Sequence, residues 1–135
     1  MNIRELNHYN IRVPRAQLTA VRDFYTRALG LHDGERFVGH WLYAGQRPVL
    51  HLMIEEEGGA GVPSAGGTTG CIDHVAFLCA GLADSRARLD ALGVAYVVND
   101  VPFMDLVQLV VHDPIGIKIE LQFLGEGGAQ SSHQG

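Results

Sequence analysis

Three histidines and one glutamate stand out for the chemistry of their side chains: His8, His51, His74 and Glu120. Imidazole nitrogens and a carboxylate are the donors that divalent transition ions take. Taken singly, each has an ordinary reading. A lone histidine on a strand is more often hydrogen-bonded or exposed than a ligand. Glu120 lies in the alternating segment Ile117–Phe123, where Lys118, Glu120 and Gln122 share one face and Ile117, Ile119, Leu121 and Phe123 the other. A mid-strand carboxylate is disfavoured by strand propensity, yet a solvated sheet face accounts for it without any metal.

The elements that must carry these residues follow from periodicity. Leu6–Val13 alternates, with Tyr9, Ile11 and Val13 on one face and His8, Asn10 and Arg12 on the other, which predicts a half-buried strand. Arg15–Leu31 places Leu18, Val21, Phe24, Tyr25, Ala28 and Leu29 at helical spacing, and Gly30 stops it. Phe37–Tyr43 and Arg47–Ile54 read as strands joined at Ala44-Gly45-Gln46, with Val49, His51 and Met53 on one face. Glu55–Gly70 is glycine-rich and aperiodic, a mobile linker. The pattern then restarts. Cys71–Cys79 reads as a strand with His74 within it, and Leu82–Leu92 as a short helix burying Leu82, Leu89 and Leu92. Val94–Val98, Asp105–His112 and Ile117–Phe123 follow as strands. Asp113-Pro114-Ile115-Gly116 makes the last turn, proline fixing φ and glycine permitting a positive one. A Gly/Ser-rich tail ends the chain and reads as disordered.

The restart is an internal repeat. LNHYNIRV matches IDHVAFLC, the helix ending FYTRALGL matches the one ending RLDALGV, and VLHLMI matches KIELQF. His8 thereby corresponds to His74, 66 residues on, and His51 to Glu120, 69 residues on. Four residues able to coordinate occupy equivalent places on the first and last strands of two similar halves. If the halves pair with their sheets side by side, the four converge in one concavity and suit zinc, iron(II), manganese, cobalt or nickel.

Bulk composition bounds the rest. The 135 residues are 47% hydrophobic and carry a net charge of −5 with no basic run, which argues for a real core and against nucleic acid as a partner. No apolar run reaches the roughly 18–20 residues of a membrane span, and MNIRELNHYN lacks the pattern of a signal peptide. Two cysteines form no disulfide framework, so a reducing cytoplasm is expected.

The chain resembles the vicinal oxygen chelate superfamily, the glyoxalase / bleomycin resistance / extradiol dioxygenase group. The matching residues are Asn7-His8, Phe24-Tyr25 with Leu29-Gly30-Leu31, Asp73-His74, and Asp113-Pro114-x-Gly116-x-x-Ile119-Glu120-Leu121, over about residues 3–124. The resemblance implies an α+β fold of two tandem βαβββ modules forming a cupped mixed sheet with helices on its outer face. It divides the chain into a first module at 1–57, a linker at 58–70, a second module at 71–124 and a tail at 125–135. It places the metal on His8, His74 and Glu120, with His51 at the fourth position. Ile115 and Ile117 replace usual polar residues at the turn. His51 replaces the glutamate or glutamine of similar lyases and isomerases, so the carboxylate proton shuttle of glyoxalase I is missing.

Two chemistries stay open at this point. Two histidines and a carboxylate with open positions match non-haem iron(II) oxygenases, as in extradiol cleavage of a catechol, with His51 as a neighbouring acid/base. With His51 as a fourth ligand the ion is a Lewis acid for a lyase or isomerase. Either way the substrate is a small molecule with vicinal oxygens. The rival class is a metal-free binding protein of the bleomycin-resistance type. Asn10, Arg12 and Gln122 share the faces of the expected ligands and are candidate substrate contacts; Trp41, a further substrate candidate, and Tyr43 read as an aromatic wall or as core or dimer contacts. His112 reads as a surface residue, His32 and His40 as loop residues, and Cys71 and Cys79 as small buried ones. A homodimer is expected from the resemblance.

Overall fold

The structure, a computed structural model, describes residues 1–2, 4–34, 39–55 and 69–127. The chain divides into two compact units, Met1–Gly67 and Thr68–Gly135.

The first unit starts with β1 (Tyr9–Pro14), whose alternation buries Ile11 and Val13 and leaves Asn10 and Arg12 exposed. A 3₁₀ turn (Arg15–Gln17) leads into α1 (Leu18–Asp23), which widens into a π-helical turn over Phe24–Ala28. The sequence predicts one helix over 15–31. The observed segment is helical but uneven, its last turn closed by a bond from Leu29 N–H to Phe24 C=O, one residue longer than the α pattern. Val21, Tyr25 and Ala28, at the i, i+4, i+7 spacing of one helical face, are all buried. Gly30 then takes φ +78° and ends it, as expected. Three strands follow: β2 (His32–Gly34), β3 (His40–Ala44) and β4 (Arg47–Glu55). β2 has no counterpart in the sequence reading, and His32 and His40 lie in strands rather than loops. Three residues with one glycine carry too little pattern to be recognised locally; β2 forms because it pairs with β3. The sheet order is β1-β4-β3-β2, with β1 parallel to β4 and the other pairs antiparallel.

The second unit repeats this plan. β5 (Val75–Cys79) and α2 (Leu82–Ala91) precede β6 (Val97–Val101), β7 (Leu106–His112) and β8 (Lys118–Leu124). The order is β5-β8-β7-β6, again with the first pair parallel and the others antiparallel. Ile119, Leu121 and Phe123 are buried and Lys118, Glu120 and Gln122 half-buried, the alternation read from the sequence. The fold is therefore α+β, two βαβββ modules each with a four-stranded mixed sheet. Asp113, itself buried, makes the β7–β8 turn: its Oδ1 accepts from the N–H groups of Ile115 (3.0 Å) and Ile117 (2.8 Å), and Gly116 takes φ +92°.

Three expectations are corrected. Cys71 lies before β5 and is exposed, so the strand is shorter than 71–79. Leu92, just past α2, is 39% exposed rather than part of the buried stripe. Its backbone closes the helix end instead, through Leu92 N–H to Arg88 C=O. His8 and His74 stand just before β1 and β5 rather than inside them. Most of the expected linker and residues 128–135 of the tail lie outside the described residues.

Candidate functional site

The register of the two sheets puts the four expected donors in equivalent positions. Asn10, two residues after His8, pairs with His51; Ala76, two residues after His74, pairs with Glu120. In each module, then, the last strand carries a donor diagonally across from the histidine that precedes the first strand. Direct cross-strand neighbours share a face. His51 and Glu120 stand on the half-buried face because their neighbours Leu50, Leu52, Ile119 and Leu121 take the buried one, while His8 and His74 are exposed.

In the second unit the pair is in contact. His74 Nε2 lies 3.5 Å from Glu120 Oε2, and the glutamate side chain is only 14% exposed. The other ring nitrogen, Nδ1, is 2.8 Å from Asp73 Oδ2. A carboxylate only accepts, so Nδ1 donates, and Nε2 is left to face Glu120. Lys118 Nζ also reaches Asp73 Oδ2, at 3.3 Å. The hydrogen bond from His74, then Lys118, holds the Asp73 carboxyl below the usual carboxylate range. This is the arrangement in which an outer carboxylate orients a metal-ligating imidazole. Two donors bound at about 2.1 Å on a tetrahedral ion stand roughly 3.4 Å apart, close to the separation seen here.

The first unit repeats the orienting contact with a neutral partner. Asn7 Oδ1 lies 2.6 Å from His8 Nδ1, again directing Nε2 outward. His8 and His51 are brought together on one indole. Trp41, the cross-strand partner of His51, stacks on its ring with centroids 4.1 Å apart and planes 8° apart. The edge contact between His8 and Trp41 has centroids 4.9 Å apart. Stacking engages a face of the ring rather than the plane of its nitrogens. Gly39 makes room: a Cβ there would meet Leu52 O at 2.5 Å and His51 Nε2 at 2.9 Å. The donors thus come as a pair in each unit. Among the described residues no three His, Cys, Asp or Glu gather within one unit to hold an ion.

No family model matches the sequence, and no curated protein does. Solved structures do. A glyoxalase family protein of Bacillus anthracis shares 20% identity and superposes with a TM-score of 0.69, over 92% of this chain and 98% of the other. A glyoxalase/dioxygenase of Nostoc punctiforme gives 22% identity and a TM-score of 0.67, over 90% and 92%. A glyoxalase/bleomycin resistance protein/dioxygenase domain from a Frankia species gives 20% and 0.64, over 93% and 96%. The fold is that of the glyoxalase / bleomycin resistance / dioxygenase proteins, the vicinal oxygen chelate fold.

Within this glyoxalase fold the sequence reading located His8, His51, His74, Glu120, Trp41 and Gln122 at or beside the two pairs. Asn10 and Arg12 lie on exposed positions of β1. It missed Asp73 and Asn7 as orienting groups, though both precede their histidine directly. It also missed Gln108, whose Nε2–H donates to Glu120 Oε2 at 3.2 Å. A signal for it exists: Gln108 is the one polar residue inside the otherwise apolar run Leu106–Val111.

Proposed function

We propose that the protein is a metal-dependent enzyme acting on a small substrate with vicinal oxygens. His8, His74 and Glu120 hold one divalent ion, with His51 as its neighbour or fourth ligand. The observation that carries this reading is the His74–Glu120 pair, with Nε2 and Oε2 3.5 Å apart and the far nitrogen committed to Asp73. The matching Asn7–His8 contact supports the first module's share. A bound ion would chelate two adjacent substrate oxygens and polarise them. Asp73 and Asn7 keep the two Nε2 atoms turned to their task, Glu120 supplies the negative charge, and His51 takes up or returns a proton at its Nε2. Trp41 shields one face of that ring from water. The assembly we expect is a homodimer.

The test is elemental analysis of protein purified without chelator or metal-affinity tag, beside His8→Ala and Glu120→Ala. The expected result is about one divalent ion per chain, lost in both variants. Unchanged metal content in Glu120→Ala sinks the assignment. Iron directs assays to extradiol cleavage of catechols, whereas zinc, nickel, cobalt or manganese directs them to lyase and isomerase reactions. A wild-type protein that takes up no metal even after reloading is instead a ligand-binding protein of the bleomycin-resistance type.

A further inference from the structure

Glu120 is held by more than its backbone. A line of carboxamides crosses the second sheet from its edge. Asn99 on β6 donates from Nδ2 to Gln108 Oε1 on β7 at 2.7 Å. Gln108 donates from Nε2 to Glu120 Oε2 on β8 at 3.2 Å, and Gln122 donates to the same oxygen at 3.4 Å. Asn99, Gln108 and Gln122 are direct cross-strand partners, so the row is fixed by sheet register rather than by loop conformation. A carboxamide has one accepting and one donating end. Asn99 occupies the accepting end of Gln108, and this leaves the donating end for the carboxylate.

The first module carries a different residue at the equivalent position. Trp41 pairs with His51 as Val110 pairs with Glu120, so the residue two before each strand partner is Gly39 in one module and Gln108 in the other. At Gly39 the space that an amide would need is taken by the His51 ring. The repeat is therefore broken at one register position. One side of it holds a carboxylate under two amide N–H groups, the other an imidazole under an indole.

We infer that Gln108, set by Asn99, is a positioning residue that fixes the plane of the Glu120 carboxylate for metal binding. The inference rests on the metal-site reading above. Two amide donors on Oε2 stop rotation of the carboxyl group, so Glu120 meets an ion in one orientation. Without them the group turns freely and can offer both oxygens.

Cobalt(II) alone is the probe, titrated into the whole chain and followed by calorimetry and by the visible spectrum of the bound ion. Gln108→Leu removes the amide at similar volume. The expected result is about 10- to 100-fold weaker cobalt binding, the range for losing a partner of a metal ligand, with a changed visible spectrum. Gln108→Met carries the test should the leucine variant not fold. Asn99→Ala should weaken binding in the same direction, and the double variant should be no weaker than Gln108→Leu alone, because Asn99 acts through Gln108. Wild-type affinity and spectrum in both folded Gln108 variants would overturn the inference while leaving the metal site standing. Additive losses in the double variant would overturn the relay from Asn99. A wild-type chain that binds no cobalt overturns the metal reading, and this inference with it.

Discussion

The indole of Trp41 lies flat on the imidazole of His51, ring centroids 4.1 Å apart and planes within 8°. The two are direct partners across β3 and β4. Trp41 is the chain's single tryptophan, so its emission reports on this ring. Nickel(II) bound at the proposed site should quench that emission, because its unfilled d shell accepts excitation over a few ångströms. Glu120→Ala should remain bright under the same titration. Unchanged emission in a protein shown to hold the metal would contradict the placement of His51 beside it. Trp41→Leu should lower stability by about 1 kcal/mol through loss of the aromatic pairs, read from urea denaturation.

The N-terminus of α2 depends on a residue far along the chain. Gly81 occupies its N-cap and has no side chain to offer. Glu126 takes the role, its Oε1 accepting from Leu82 N–H at 2.9 Å and both oxygens lying 3.2 Å from Gly81 N. A carboxylate there satisfies backbone donors and meets the positive end of the helix. Glu126→Ala should cost about 1–2 kcal/mol, the scale of losing a cap, with Glu126→Gln losing less. A urea midpoint unchanged in Glu126→Ala would show that the cap does not hold in solution.

The two cysteines should differ in reactivity. Cys71 is exposed. Burial pushes the Cys79 thiol above its ordinary value of 9.0; the Glu126 charge adds to this, and a backbone hydrogen bond from Gln122 opposes it. Iodoacetamide near neutral pH should therefore label Cys71 well before Cys79, and the difference should vanish in denaturant. Equal labelling rates in the native protein would refute the burial. The sign for stability follows. The folded chain keeps a proton that the unfolded thiol releases near pH 9, so Cys79's contribution is intact below that pH and falls as pH rises beyond it.

The repeat was legible because it is written in local patterns. Alternation in Ile117–Phe123 fixed which face carries Glu120, and the match of VLHLMI with KIELQF fixed its equivalence to His51. A strand's period of two makes facing a property of sequence alone. The two-module α+β plan and the equivalence of His8 with His74 came from the same source. β2 escaped because its three residues, one of them glycine, have no pattern to read. The unevenness of α1 escaped because apolar spacing alone does not separate an α turn from a π turn.

What tertiary structure decided is which side chains meet. His74 and Glu120 are 46 residues apart in the chain and 3.5 Å apart at their donor atoms. Asn99, Gln108 and Glu120 are joined only because β6, β7 and β8 pair in one particular register. The Trp41–His51 stack and the Glu126 cap are likewise contacts between separate elements. The sequence by itself determined the donor types, their faces and their equivalence, since these follow from local periodicity. Strand register arises from non-local pairing and packing, and it chose the neighbours that meet Glu120 and His51, whereas Asn7 and Asp73 adjoin their histidines in the sequence itself.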